Sequence, residues 1–426
     1  LFSWIPIILM RIDFIFVCAL CAFVALPLGS FAVKLQAINY WNFDDDSDTI
    51  DFSGITYSPT NNGVLLTGTI TENSDETIGV SLAQWTTAGA TSPKAFNLTP
   101  PGHQKCSNFN SGILSDATYK DFYYITFTCD ATSLGTNYFF VKMNAQGEVV
   151  KSVTYKPTVK NSVSSFPVAF LQSNMVAFVS LDTSSTSQII AIDGNLEFQT
   201  QTLSSDTDLK VNFVSQVGDS NDFAVVGLVA DDEIYVGTFN SDGTNKKHKV
   251  LKMTANVTIH GVAGSATGIF ICLTEWTSRY ALLVNPTDLV TLATKAGTAK
   301  GTPSCTASKT TFTFSQLYWT KSFPTWVLGN DGTQTSSFEG EKINGSSFIN
   351  TSSLLIKNGE YMLLPGHKLD SAENTPGLVS LNLNETGDGF KTPDSSFSST
   401  TSPTTQTTNM TWTQATSASG ATFETS

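Results

Sequence analysis

The side chains of this chain that could do chemistry are few and scattered. Its four histidines, His103, His248, His260 and His367, lie far apart. None falls in an HExxH or HxH arrangement that would bring two imidazoles to one metal. No Gly-x-Ser-x-Gly elbow is present to raise a serine nucleophile above a sheet. Carboxylates are plentiful, but a glycosidase pair is defined by separation in space rather than in sequence. The densest acidic run is Asp44-Asp45-Asp46-Ser47-Asp48, with Asp51 beyond it. Oxygen-rich loops suit Ca²⁺, which makes Asp44, Asp46 and Asp48 candidate ligands of a weak extracellular calcium site. The run lacks the alternating ligands, glycine and closing glutamate of an EF-hand, and a solvated loop accounts for it more simply. No other cofactor is called for. Pro101-Gly102-His103 and Pro365-Gly366-His367 share an order that suggests similar turns, although chance recurrence explains it more simply.

The sulfur and amide chemistry is more informative. Of six cysteines, Cys18 and Cys21 lie in an apolar N-terminal run, leaving Cys106, Cys129, Cys272 and Cys305. An even number in an oxidising compartment reads as disulfides, and three pairings are open. Nearness in sequence favours Cys106–Cys129 and Cys272–Cys305, each worth roughly 3–4 kcal/mol by chain entropy. A zinc site fails on spacing, since no two of these form a CxxC-like knuckle. Six sites satisfy N-x-[ST]: Asn97, Asn256, Asn344, Asn350, Asn384 and Asn409. A chain rich in Ser, Thr and Asn produces some of these by chance, but a eukaryotic secretory pathway would modify several.

Both ends point to such a pathway. The chain starts with leucine, and the first methionine is Met10, so residues 1–9 read as upstream sequence. Arg11, an apolar run from Phe14 to Leu26, and small residues at Ser30 and Ala32 have the pattern of a secretory signal cleaved after Ala32. The alternative, a membrane anchor, would have to span with only about 13 apolar residues. At the other end, 20 of the 35 residues from Thr392 to Ser426 are Ser or Thr, with no Lys or Arg. Such a segment has little apolar surface to offset its ordering entropy and reads as a disordered, O-glycosylated stalk. Membrane attachment would require sequence beyond Ser426.

Charge excludes some partners. Removing Arg11 and Asp13 from 23 basic and 36 acidic residues leaves 22 and 35, a net charge of −13. An acidic chain without a basic cluster has no electrostatic footprint for nucleic acid or anionic lipid. The nearest approach, Lys246-Lys247-His248-Lys249, reads as a solvated hairpin tip.

The elements that must position these residues recur. An apolar strand, a polar turn and a glycine appear in Trp85-Thr-Thr-Ala-Gly89, Met143-Asn-Ala-Gln-Gly147, Phe239-Asn-Ser-Asp-Gly243, Leu328-Gly-Asn-Asp-Gly332 and Leu383-Asn-Glu-Thr-Gly387. Two degenerate copies fill the gaps: Ile192-Asp-Gly194, which reads as shortened, and Val284-Asn-Pro-Thr-Asp288. The spacings of 44 to 58 residues are those of a propeller or a stacked array. Before each turn lies an apolar run of strand length, such as Phe122 to Cys129 or Phe223 to Val229, whose continuity argues burial on both faces. Alternating stretches precede these runs, among them Ile50 to Tyr57, Leu209 to Val217 and Thr310 to Phe314. Four strands per unit and seven units predict an all-β chain, a β-propeller of seven four-stranded blades over residues 33–391, followed by a tail over 392–426. The last unit lacks a fourth strand, which Val33 to Trp41 is expected to supply.

The pattern resembles secreted β-propeller repeat proteins in general. It has neither the paired glycines of kelch repeats nor the Gly-His and Trp-Asp pairs of WD40 repeats, and Asn240-Ser-Asp-Gly-Thr244 only distantly matches the Asp-box turn of sialidase-like propellers. Two functions follow as expectations. One is a secreted or cell-surface glycoprotein whose propeller is a binding or assembly module in an extracellular coat, matrix or filament, with other proteins, glycans or its own copies as partners. The other is an extracellular carbohydrate-active or other hydrolase with its site at the channel mouth. Carboxylates, His or Tyr converging on the channel would favour the enzyme, and a Ser/Thr-lined channel the scaffold.

Overall fold

The computed structural model describes residues 37–40, 49–72, 75–86, 89–100, 103–131, 135–157, 163, 165–180, 187–199, 202–205, 209–297, 301–317, 322–341, 346–347, 354–356, 361–370, 373–383, 390–391, 397–406, 412–415 and 421–425. The candidate calcium ligands Asp44, Asp46 and Asp48 and the sequons at Asn344, Asn350, Asn384 and Asn409 lie outside these residues, as does the signal region.

The chain is all-β. Strand β1 (Ala37–Tyr40) precedes a first sheet of β2 (Thr49–Ser58), β3 (Gly63–Glu72), β4 (Asp75–Thr86) and β5 (Gly89–Asn97). The second sheet contains β6 (Gln104–Gly112), β7 (Tyr123–Ala131), β8 (Gly135–Met143) and β9 (Val149–Pro157). The third contains β10 (Val168–Phe170), β11 (Asn174–Ser180), β12 (Ser187–Asp193) and β13 (Thr202–Ser205). The fourth contains β14 (Lys210–Gln216), β15 (Phe223–Ala230), β16 (Glu233–Phe239) and β17 (Asn245–Lys252). The fifth contains β18 (Val257–Gly264), β19 (Ile269–Glu275), β20 (Ser278–Val284) and β21 (Thr291–Gly297). The sixth contains β22 (Thr302–Ala307), β23 (Phe312–Leu317), β24 (Ser322–Leu328) and β25 (Gln334–Glu341). In the last sheet β26 (Ser346–Ser347) and β27 (Leu354–Ile356) both pair with β28 (Tyr361–Asp370), which pairs with β29 (Glu373–Asn382).

Strand β1 returns to pair antiparallel with β29, Ala37 opposite Ser380 and Tyr40 opposite Gly377. The expected N-terminal strand thus completes the last sheet. First strands of neighbouring sheets touch, β2 with β6, β10 with β14, β14 with β18 and β18 with β22, while β27 touches both β22 and β2. This is the closed, radial packing of a propeller, in which few edges stay open.

The core lies between the faces of adjacent sheets. Tyr138, Phe140 and Tyr155 of the second sheet pack with Met175, Ala177 and Ile190 of the third. Ala224, Val226 and Ile234 of the fourth meet Ile269, Ile271 and Leu282 of the fifth. A strand sandwiched by two such clusters must be apolar on both sides, and eight of the nine residues of β8 are buried. That is why the second and third strands read as unbroken apolar runs. First strands face the axis on one side and are mixed: β6 reads Gln-Lys-Cys-Ser-Asn-Phe-Asn-Ser-Gly. No alternating apolar pattern marks it, so sequence reading passes over it. In the sixth unit the reading slips by one strand. The stretch Thr310 to Phe314, expected to precede the apolar strand, is itself mostly the buried second strand β23, and β22 lies upstream.

The tail departs most from expectation. Instead of a free stalk, five short strands run backwards around the molecule, β30 (Phe390–Lys391) at the end of the expected propeller range and β31 (Phe397–Ser399), β32 (Thr404–Gln406), β33 (Trp412–Ala415) and β34 (Ala421–Thr425) within the expected stalk. They pair with the outer strands β25, β21, β17, β13 and β9, respectively, each adding a fifth strand to its sheet. Residues Gln36–Ser426 accordingly form one compact unit. Thr is a good strand former, and backbone pairing along exposed edges offsets the ordering entropy that made this segment read as disordered. An aromatic pins it: Phe397 stacks on Phe314 at 4.9 Å and on Trp326 at 4.8 Å. The outer edge of the first sheet has no such cover among the described residues. Its edge strand β5 carries Pro93 and Lys94 beside a register shift, devices that blunt an edge without pairing it.

Candidate functional site

The recurring turn is a shared structural device in the copies that the structure describes; those at Trp85 and Leu383 lie partly outside the described residues. In the copies at Asn144, Asp193, Asn240 and Gly329, the first residue's N–H donates to the carbonyl four residues on, and the N–H three residues on donates back to its carbonyl. The residue at that third step has a positive φ: Gly147 at 88°, Gly243 at 79° and Gly332 at 77°. The copy that reads as shortened is full length. Its left-handed position is Leu196, at φ 57°, rather than Gly194, and the Leu196 side chain is buried. In the copy at Asn285 the turn is one residue longer, and Leu289 holds the same conformation at φ 58°. An Asx side chain caps most of these turns: Asp193 Oδ1 accepts from the N–H groups of Asn195 (2.9 Å) and Glu197 (2.8 Å), and Asp242 Oδ1 from that of Thr244 (2.8 Å).

Since Gly194 is not needed for the backbone, its role lies elsewhere. A Cβ there would come within 2.4 Å of the Tyr119 ring. Its carbonyl accepts hydrogen bonds from Tyr124 Oη and Lys142 Nζ, both at 2.8 Å, so two side chains of the second sheet grip a turn of the third. Lys142 is buried, with its ammonium 4.1 Å from the Phe122 centroid and 5.3 Å from that of Tyr119. Burial pushes its pKa below the usual lysine range; Asp193 opposes this and Lys151 reinforces it. The proton is engaged by a carbonyl and a π-face, which makes Lys142 a clamp rather than a free nucleophile. The sequence carries its signal, a lone charge inside the apolar strand Tyr-Phe-Phe-Val-Lys-Met.

Beside the clamp opens a cavity of about 370 Å³ lined by Tyr119, Ser173, Asn174, Asp193, Gln199, Asn221, Ser241 and Asp242. They come from turns and adjoining strand ends of the second, third and fourth sheets. Asn221 ties two of them together, its Oδ1 accepting from Ser173 N–H at 3.0 Å. Asn174 is 8% exposed, and its Oδ1 has no hydrogen-bond partner among the described residues. Such a group ordinarily marks an unfilled hydrogen-bonding position. Hydrogen bonds from the Thr244 hydroxyl and then its N–H hold Asp242 below the usual carboxylate range. A larger groove, about 500 Å³, lies between the fourth and fifth sheets and includes Gly218, Asp222, Lys246, Ala266 and Pro286. The Lys246–Asp222 ion pair, at 2.6 Å, lines its fourth-sheet side.

The residues singled out by sequence are mostly structural. Cys106 and Cys129 form a disulfide. Cys272 and Cys305 come together as expected but stand as free, hydrogen-bonded thiols, one on β19 and the other on β22 of the next sheet. Asn97 and Asn256 are exposed. The basic run is not a hairpin tip: Lys246, Lys247 and Lys249 lie within β17, and His248 stacks on Tyr235 at 5.8 Å. Of the two Pro-Gly-His segments, Pro365 to His367 lie inside β28 rather than in a turn, while Pro101 and Gly102 lie outside the described residues. The four histidines belong to different sheets and do not converge. His260 Nε2 lies 2.8 Å from Thr274 Oγ1, and burial, with Arg279, lowers its pKa. Among the described residues no group of His, Cys, Asp and Glu could hold a metal ion, and no helix is long and apolar enough to cross a membrane.

No protein-family model and no curated protein matches the chain. Its similarity is to solved propeller structures. The "Dos1 propeller" is 9% identical, with a TM-score of 0.48 over 81% of this chain and 95% of that one. A NanB sialidase of Streptococcus pneumoniae is 9% identical, with a TM-score of 0.43 over 84% and 72%. The WD40 domain of SCAP from fission yeast is 9% identical, with a TM-score of 0.40 over 82% and 98%.

Proposed function

We propose that the protein is a secreted or cell-surface glycoprotein whose propeller is a binding and assembly module. Its ligand site is the polar cavity between the second, third and fourth sheets. The observation that carries this reading is the chemistry of that cavity. It offers a tyrosine, three amide side chains and two serines, the donor and acceptor set that recognises a polyhydroxylated ligand such as a glycan, while both of its carboxylates are spent on capping turns. A glycosidase needs one carboxyl raised so that it can donate a proton. Among the described residues the carboxylates displaced from the ordinary range, Asp242, Glu275 and Asp331, are all displaced downward. The described polar residues of the axial strands add to the same reading, being mostly Ser, Thr and Asn. Thr56 Oγ1 donates to Ser111 Oγ at 2.8 Å across two of them.

A glycan array with the secreted protein tests the proposal. Binding is expected, and it should weaken in Gln199→Ala and Tyr119→Phe, substitutions that leave the turn caps intact. Absence of binding to any glycan would remove the cavity as a glycan site. Turnover of chromogenic glycosides, abolished by the same substitutions, would replace the binding reading with the hydrolytic one.

A further inference from the structure

The hairpin between β19 and β20 presents an unusual residue. Its first turn position is Trp276, with φ at 52°. A left-handed backbone at this position of a two-residue hairpin ordinarily selects glycine, and a bulky side chain there is strained. Trp276 is also 81% exposed, so its indole is not placed there to fill a core. The hairpin is nevertheless held firmly. Glu275 Oε1 accepts from Thr254 N–H and Thr254 Oγ1, each at 2.7 Å, and from Ala255 N–H at 2.8 Å. These bonds fasten the segment entering β18 to the base of the turn. Strain kept at an exposed, braced position is a signature of use.

Register shows what stands beside it. Val257 pairs with Glu275 and Thr258 with Thr274, so Asn256 and Trp276 occupy the next step outward on the two strands. Asn256 is exposed and opens the sequon Asn256-Val257-Thr258. We infer that an N-linked glycan on Asn256 lays its first sugar rings on the Trp276 indole, making Trp276 a platform for the chain's own glycan. The C–H face of a pyranose complements the negative π-face of the indole, as the positive edge of an aromatic ring does. The platform would hold the glycan against the rim of the fifth sheet instead of leaving it to sweep through solvent. This inference rests on the glycoprotein reading above.

The experiment compares protein secreted from a eukaryotic host with the same protein after enzymatic removal of its N-glycans, alongside Asn256→Gln, Trp276→Phe and Trp276→Gly. Glycopeptide mass spectrometry should find Asn256 occupied. The wild-type minus Trp276→Phe difference isolates the Trp276 fluorescence. That signal should be shielded from acrylamide in the glycosylated protein and exposed after deglycosylation or in Asn256→Gln. Deglycosylation should lower Tm by roughly 1–2 °C in wild type and not in Trp276→Gly, the expected scale for losing one aromatic contact in a chain of this size. Equal quenching with and without an occupied Asn256 would overturn the platform while leaving the glycoprotein reading intact. An empty Asn256 beside occupied sequons elsewhere would overturn the site. Secretion with every sequon empty would overturn both.

Discussion

If the C-terminal segment is a structural belt, removing its best anchor should open it locally. Phe397 is half-buried against Phe314 and Trp326 of the sixth sheet, although its backbone pairs with β21 of the fifth. It therefore ties two sheets and the tail together. Truncating a fully buried Phe to Ala costs about 3–5 kcal/mol, and halving this for partial exposure gives about 2 kcal/mol for Phe397→Ala. The cost should fall on the belt, because β31 is three residues long and is otherwise held by pairing with Lys295, Ala296 and Gly297 and by polar contacts such as Lys295 Nζ to Ser399 Oγ at 3.0 Å. A loss of about 2 kcal/mol in a local opening equilibrium raises the open population roughly 30-fold. Native-state hydrogen exchange read by peptide mass spectrometry would measure it. Amides of residues 397–406 and of β21 should exchange about that much faster, while those of β15 and β19 stay unchanged. The control Ser398→Ala, at an exposed position, should do nothing. Unaltered exchange in Phe397→Ala, or fast exchange of the whole tail in the wild type, would refute the belt.

Three further outcomes follow from the same geometry. Lys142→Met keeps the apolar stem but leaves the Gly194 carbonyl with Tyr124 alone; it should lower stability in urea by about 2 kcal/mol, and a neutral result would show that the ammonium contributes nothing. Burial pushes Glu275 up, but hydrogen bonds from Thr254 and Ala255 outweigh it and hold the carboxyl below the ordinary value. A depressed folded pKa stabilises above the unfolded value, about 4.3 for Glu, and that stability disappears as pH falls through the folded pKa. Glu275→Gln should therefore be less stable than wild type at pH near neutrality, with the gap closing in acid; a gap independent of pH would contradict the assignment. Non-reducing peptide mapping of the protein should recover a Cys106–Cys129 link and leave Cys272 and Cys305 as free thiols. Burial and the neighbouring Cys305 push the Cys272 thiol well up, so Cys272 should alkylate slowly in the folded protein and fully after unfolding, and a recovered Cys272–Cys305 link would contradict the assignment.

Local signals carried much of the architecture. Runs such as Phe122 to Cys129 could only be strands buried on both faces, and the Asn/Asp-Gly turns could only reverse the chain, so strand, turn and repeat were legible residue by residue. The Cys106–Cys129 bridge was legible from proximity along the chain. Three things were decided only by tertiary structure, each because distant residues supply the missing term. The polar strand β6 exists because its neighbours surround it, not because its own sequence prefers a strand. The described strands of the Ser/Thr-rich tail form because four separate sheets each present an open edge, whose hydrogen bonds no local composition can reveal. The cavity at Asn174, Asp193 and Asn221 is assembled from segments spread along the chain from Tyr119 to Asp242, and none of its residues is marked as a ligand group until packing brings them together. Sequence determined how the chain is built, since propensity and periodicity act over a few residues, and tertiary structure determined where it can bind, since a site is a convergence of groups that only closure of the sheets brings about.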